Sequence, residues 1–245
     1  MINGIDVSHH QGEVNWDKAK SAGVVFAFIR AEFNLAKDNQ FDRNWSEAKR
    51  VGIYRGAYGW VMGSPISNVN QYNHASFLWN IIGQDPGELP PVCDFESSKG
   101  GLSTPAFGAL QAYVIALEKL AGRKPMIYTS WGYWRRWAPF ATQYWALNYP
   151  LWIANYTSKP QPLLPLPFTT YNFWQWSADG NGKGYEYGVP KQGTSIDLNR
   201  YNGDMDSFLK FVGSGATIPI PPTQSTIETR VTKLEEWAKT MGYKE

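Results

Sequence analysis

A single cysteine, Cys93, stands in 245 residues, so neither an intramolecular disulfide framework nor a multi-cysteine metal site can be built, and the fold must rest on packing. Histidine is almost as scarce: His9, His10 and His74 fall at no metal-ligand spacing. Blocks of like charge are missing as well. With 23 basic residues against 21 acidic ones, the formal net charge is +2, which gives nucleic-acid binding no electrostatic support. No apolar run approaches the ~20 residues needed to cross a bilayer. The opening MINGIDVSHH has no basic leader followed by an apolar stretch. The expectation is a chain made in the cytoplasm without a signal peptide and without a membrane partner, whose export would depend on another protein. Also lacking are GxxxxGK[ST], a dinucleotide fingerprint between strand and helix, GxSxG and HExxH, so no cofactor and no metal are called for.

What the chain has in quantity is aromatic surface. Twelve Trp, fourteen Tyr and twelve Phe make up 16% of it, many in Gly- and Pro-punctuated stretches. Most such rings fill a core, but flat rings with a polar tip also suit the faces of sugars. Eight short β-rich runs bounded by turn residues follow one another: GIDVSH from 4, VVFAFIRA from 24, IYRGAYGWV from 53, PVCDFE from 91, PMIYTS from 125, LWIANY from 151, FWQWS from 173 and SIDLNRY from 195.

Helical spacing separates the first five strands. Segments 15–22, 42–50 and 66–82 fit it, and 104–121 fits best, with Phe107, Leu110, Val114, Leu117 and Ala121 three or four apart, Thr104 and Pro105 at its start and Gly122 at its end. Between Tyr156 and Phe173 the chain is too rich in proline for a helix, and between Ser177 and Ser195 it is polar and glycine-rich. The fold class implied is α/β: a modified TIM-type barrel of eight strands with helices missing between the last strands, plus a short C-terminal helix. The barrel is expected over 1–212, after a last helix at 204–212, and a Gly/Pro-rich linker over 213–225. Over 226–245, Ile227, Val231, Leu234, Ala238 and Met241 form a heptad-like seam. So short a helix is marginal alone, and it is expected to dock on the parent domain, on a partner, or on a second copy as a homo-oligomer.

The chemistry is concentrated in three strands. Residues two apart on a strand share a face, so Val92, Asp94 and Glu96 point one way and Cys93 and Phe95 the other. Functional groups of a parallel barrel gather at the C-terminal strand ends, where these acids fall. Cys93 then faces the helices as a small buried apolar group. Asp6 in GIDVSHHQG and Asp197 in SIDLNRYNG sit in comparable apolar settings before polar turns, so four carboxylates are expected at one barrel mouth. Like charges held close cannot all ionise at neutral pH, which is what a general acid needs. Two carboxyl groups and aromatic walls, without metal or cofactor, are the requirements of glycoside hydrolysis. An Asp-x-Glu on an exposed edge strand would be ordinary surface chemistry; the apolar context of all three segments argues against that. His9 and His10 read first as polar residues closing a strand.

Seven segments in order, DVSHHQG at 6, GAYGW at 56, DFE at 94, IYTS at 127, LWIANY at 151, FWQWS at 173 and SIDLNRYNG at 195, resemble the glycoside hydrolase family 25 muramidases, the Chalaropsis-type lysozymes that include phage endolysins. The resemblance covers about 2–212 and implies a modified barrel of the kind read above. It implies that Glu96 is the general acid, Asp94 the second carboxylate, and Asp6 and Asp197 the acids completing the cluster. It also implies that Tyr58, Tyr128, Trp152 and Gln175 line a groove for bacterial peptidoglycan. Where the family often has His-Phe after the tyrosine of the third strand, this chain has Gly59 and Trp60, so a sugar contact there is altered or passes to another ring. The activity implied is cleavage of the β-1,4 bond between N-acetylmuramic acid and N-acetylglucosamine, with a phage or prophage endolysin that reaches the wall through another protein's pore as the setting. A noncatalytic wall-binding barrel and a chitinase-like hydrolase are the alternatives.

Overall fold

Gly4 and Gly56 explain how so many rings fit inside one barrel. A Cβ on Gly4 would lie 2.4 Å from the Phe26 ring, and one on Gly56 would lie 2.7 Å from Phe28, so each glycine vacates the space a facing phenyl fills. The computed structural model describes residues 2–61, 68–96, 103–138, 143–178, 182–191 and 194–213. The expected C-terminal helix with its oligomerisation seam, and the linker beyond Gly213, lie outside the described residues.

Nine strands form one sheet: β1 (Ile2–Val7), β2 (Phe26–Phe33), β3 (Ala36–Lys37), β4 (Tyr54–Trp60), β5 (Val92–Asp94), β6 (Met126–Ser130), β7 (Leu151–Ala154), β8 (Phe173–Ser177) and β9 (Asp197–Tyr201). The order β1-β9-β8-β7-β6-β5-β4-β2 closes through β1 and β2 into an eight-stranded barrel, and β3 is a two-residue hairpin partner of β2. That hairpin, which the sequence reading did not include, turns through Asn34 and Leu35 at φ of 53° and 59°. Its Leu35 amide is held by the Glu32 carboxylate at 2.7 Å.

The helices are α1 (Trp16–Ser21), α2 (Phe41–Arg50), α3 (Asn68–Ile82), α4 (Ser103–Ala121), α5 (Trp131–Trp137) and α6 (Met205–Gly213). No α-helix joins β7 to β8 among the described residues, nor β8 to β9, as proline and glycine dictate; a 3₁₀ turn at Gly184–Tyr187 stands in the second gap. Gly122, at φ 67°, ends α4 by donating its amide to the Glu118 carbonyl at 2.9 Å. Helix α5 was not expected, because WGYWRRW is too short to show a period. It is started by Ser130, whose hydroxyl accepts from the Tyr133 amide at 3.1 Å.

Two apolar layers result. The barrel interior holds Ile2, Phe26, Phe28, Val92, Met126, Trp152 and Phe173, with Phe208 of α6 closing its lower end. Phe28 and Trp152 stack with centroids 4.2 Å apart. The outer layer, between strands and helices, includes Cys93, Phe95, Phe107, Leu110 and Tyr113. Cys93 is buried there, with its thiol pushed well above the usual range by burial, so it serves packing.

Strand β9 departs from a purely parallel barrel: it runs antiparallel to both β1 and β8. The reversal brings its first residue, Asp197, level with Asp6 near the C-terminal end of β1. Asp197 therefore reaches the mouth because it opens a reversed strand, and not through the polar turn that follows its segment in the sequence.

Gly59 is required by the outer layer. A Cβ there would fall 2.3 Å from the Tyr113 hydroxyl oxygen, 3.1 Å from Glu32 Oε2 and 3.2 Å from Leu78 Cδ2, so a side chain at this position collides with the helix layer. Gly59→Ala is expected to destabilise the fold by about 1–3 kcal/mol through overpacking. Adding Tyr113→Phe, which removes a buried hydroxyl with no hydrogen-bond partner among the described residues, should restore most of the lost Tm in a thermal melt. No restoration would show that the clash lies elsewhere.

Candidate active site

Interior-facing positions alternate along each strand, and at the upper end of the barrel the apolar residues give way to polar ones. On β1 the sequence Ile2, Gly4, Asp6 climbs one face; on β2 it is Phe26, Phe28, Arg30; on β5 and just beyond it, Val92, Asp94, Glu96; on β9, read downward, Asp197, Asn199, Tyr201. These upper residues enclose a cleft of about 350 Å³. All four expected carboxylates, Asp6, Asp94, Glu96 and Asp197, line it, and so do Tyr58, Trp60, Tyr128, Trp152 and Gln175. His10 lies at its edge; His9 does not line it.

Asp6 is 6% exposed and is held through one oxygen. Its Oδ2 accepts from Gln175 Nε2 at 2.8 Å and Asn199 Nδ2 at 2.7 Å. Burial raises its pKa, while these donors and Asp197 pull the other way. Asp94 is 3% exposed, and its Oδ1 has no hydrogen-bond partner among the described residues. Burial pushes its carboxyl well above the usual range, the charges of Glu96 and Asp6 add to the rise, and Arg30 opposes it. Glu96 sits two residues past the end of β5, its Oε2 accepting from the Tyr128 hydroxyl at 3.1 Å. Burial raises it to about 7, assisted by Asp6 and opposed by the Tyr128 hydrogen bond and by Arg30. Asp94 and Glu96 thus form a buried pair that keeps at least one proton near neutral pH, the condition for a general acid beside a carboxylate.

Several functional groups escaped the sequence reading. Arg30 is a buried cation at the cleft wall, its Nε donating to Asp38 Oδ2 at 2.9 Å and its Nη2 contacting His9 Nδ1. Asp38 is buried too, but hydrogen bonds from the Gln40 and His9 amides, His9 and Arg30 outweigh burial and hold its carboxyl below the usual range. The signal was available: an arginine inside VVFAFIRAEF is a buried charge by the same logic that singled out the acids. Glu32, the next charge on that strand, does not join it. An irregularity between Arg30 and Glu32 pairs Glu32 with Gly59 and turns it into the helix layer, where its Oε1 lies 2.7 Å from His74 Nδ1.

Tyr156 also carried no signal. Lying just beyond β7, it is 56% exposed, yet its hydroxyl is anchored to Gln175 Oε1 at 2.7 Å, which leaves a ring face open at the cleft rim. Trp152, by contrast, is buried on the floor, stacked on Phe28 and donating its Nε1 to Asn199 Oδ1 at 2.7 Å. Trp60 stands at the wall, edge-on to Phe33 with centroids 5.4 Å apart.

Comparison with known proteins agrees with this geometry. The profile of Glycosyl hydrolases family 25 matches residues 5–185. Lysozyme M1 of Streptomyces globisporus is 31% identical over 225 residues, covering 88% of this chain and 72% of its own. The N,O-diacetylmuramidase of Arthroderma benhamiae is 30% identical over 224 residues, covering 87% and 88%. Among solved structures, the bacterial lysozyme from Streptomyces coelicolor superposes with a TM-score of 0.73 at 29% identity, covering 88% of this chain and 98% of that one. With the profile spanning most of the barrel and the four acids meeting in its mouth, the chain belongs to glycosyl hydrolases family 25 and is a glycoside hydrolase of the lysozyme class.

Proposed function

We propose that the cleft hydrolyses the β-1,4 bond between N-acetylmuramic acid and N-acetylglucosamine in bacterial peptidoglycan, with Glu96 as the general acid. The observation that carries this is the meeting of Asp6, Asp94, Glu96 and Asp197 in one cleft, with burial raising Glu96 to about 7. Glu96 gives its proton to the departing glycosidic oxygen. Asp94 stabilises the positive charge that develops at the anomeric carbon, as nucleophile or by orienting the substrate's acetamido group. Its unpartnered Oδ1 is an acceptor waiting for a donor, and an acetamido N–H would supply one while favouring the ionised form. Asp6 and Asp197 complete the acidic cluster behind the pair. The open ring of Tyr156 and the walls of Tyr58 and Trp60 give sugar rings apolar faces to lie against.

Digestion of purified walls tests this. New reducing ends terminating in N-acetylmuramic acid, read by mass spectrometry of the fragments, are the expected result. Fragments ending in N-acetylglucosamine would contradict it, and cleavage of chitin in preference to walls would move the substrate to that polymer. Binding without new ends would reduce the protein to a wall-binding barrel.

A lysis role, as a phage or prophage endolysin, is the setting proposed for this activity. It is supported by the chemistry, since cutting wall glycan is what lysis requires. Expression in a bacterial host should then cause lysis only when a pore-forming protein is co-expressed; lysis without the pore would contradict it.

A further inference from the structure

Gln175 lines the cleft, but it is 3% exposed and every polar atom of its side chain is already engaged by protein groups. Its amide orientation is forced. Asp6 Oδ2 is an acceptor, so the atom 2.8 Å from it must be Nε2, and Oε1 must face the hydroxyls of Tyr156 at 2.7 Å and Tyr128 at 3.0 Å. Asn199, the second donor to Asp6, is locked in the same way, because Trp152 Nε1 can only donate and claims its Oδ1.

Tyr128 is where this chain of hydrogen bonds becomes ambiguous. Its hydroxyl carries one proton, for which Gln175 Oε1 at 3.0 Å and Glu96 Oε2 at 3.1 Å compete as carbonyl and carboxylate acceptors, with the Tyr156 hydroxyl, already committed to Gln175, also in hydrogen-bonding contact. We propose that Gln175 is a positioning residue for the acid: by competing with Glu96 for the single Tyr128 hydroxyl proton, it sets which proton state of Glu96 the cleft favours.

When Glu96 is protonated, its own O–H points at the Tyr128 oxygen and Tyr128 donates to Gln175, so the bonds run in one direction and reinforce each other. When Glu96 has given its proton to the leaving oxygen, the Tyr128 hydroxyl rotates to the new carboxylate. Gln175 Oε1 then keeps Tyr156 as its donor and is never left unpaired. The switch therefore costs one hydroxyl rotation: the proton that leaves Glu96 goes to the glycosidic oxygen, and Tyr128 keeps its own. Other charges also act on Glu96. Asp6 on β1 and Arg30 on β2 bear on it directly, and Asp94 below it, Tyr58 on β4, Asp197 on β9 and His10 at the rim share the cleft. None of these competes for the Tyr128 proton as Gln175 does.

The proposal rests on Glu96 being the acid, and its test separates the two. The basic limb of the pH profile of kcat/KM on soluble wall fragments is measured for the full chain, for Gln175→Met, for Tyr128→Phe and for the double variant. Removing the competing acceptor frees Tyr128 to donate to the Glu96 carboxylate, so Gln175→Met should move the limb down by about 1 pH unit. Tyr128→Phe, which strips the carboxylate of a donor, should move it up by about the same amount. Adding Gln175→Met to Tyr128→Phe should then change nothing further. Gln175→Asn, which withdraws the amide but keeps its polarity, serves as a second variant should Gln175→Met fail to fold, and should shift the limb in the same direction. An undiminished downward shift in the Tyr128→Phe background would show that Gln175 acts only through Asp6, and an unmoved limb in both Gln175 variants would show no coupling; either result overturns the proposal. Titrating the Glu96 carboxyl by ¹³C NMR in the same variants distinguishes the two readings. Should that titration shift as stated while the rate limb stays fixed, the positioning role stands and the assignment of Glu96 as the acid falls.

Discussion

Glu96→Gln is expected to abolish the clearing of purified cell walls while the barrel stays folded. Gln keeps the shape and the acceptor facing Tyr128 but has no proton to give the departing oxygen, so turnover should fall by about 10²–10⁴-fold, the range a positioned general acid supplies. Binding of wall fragments should change little, because the apolar faces that hold the sugars are untouched. The same substitution should stabilise the protein, and the sign follows from the raised carboxyl. A Glu at about 7 in the folded state, against an ordinary 4.5, binds an extra proton on folding. Its contribution is fully present below pH 4.5 and is lost as pH rises through 7. The neutral amide has nothing to lose, so its stability should draw level with wild type near pH 4 and exceed it by on the order of 2–3 kcal/mol at pH 8. Denaturant unfolding at the two pH values checks this. Near-normal lysis by the variant would remove Glu96 from the chemistry.

Asp94→Asn should impair turnover nearly as severely. The residue lies under the sugar's reacting carbon in the proposed mechanism, and an amide can neither attack nor offset the positive charge that develops there. Loss of one preorganised electrostatic group in a dry site corresponds to about 10²–10³-fold in kcat. The drop should fall on kcat, with KM nearly unchanged, because the charge it meets exists only in the transition state. A rise in KM alone would make Asp94 a binding group. Because Asp94 is buried and its Oδ1 has no partner among the described residues, Asp94→Asn should also unfold at higher denaturant than wild type at neutral pH, joining lost activity to gained stability at one residue.

The parts of this site visible in the sequence were those where polarity breaks into an apolar run. Asp6, Asp94 and Glu96 stood out because burying a carboxylate among Val, Ile and Phe is costly, and the period of two placed Asp94 and Glu96 on the barrel side and Cys93 on the helix side. The loss of helices after β7 and β8 was equally legible, since proline and glycine act locally. Three-dimensional pairing was not. That β9 runs backwards, so that Asp197 reaches the mouth from the start of its strand, depends on where the glycine-rich loop before it returns the chain. Arg30 and Glu32 are two residues apart, a spacing that puts side chains on one face of a regular strand, but the irregularity between them sends one to the cleft and the other to His74. Tyr156 follows its strand by two residues and gains its place through hydrogen bonds with Gln175 and Tyr128, which come from other strands.

Where the last proton sits in the resting cleft decides whether Glu96 can act as the acid. Titrating the Glu96 carboxyl of the unliganded wild-type protein by ¹³C NMR, with its resonance identified by its loss in Glu96→Gln, measures this directly. A midpoint near 7 is the predicted result. A midpoint at the ordinary glutamate value of about 4.5 would mean that Glu96 is fully ionised at neutral pH and has no proton to deliver.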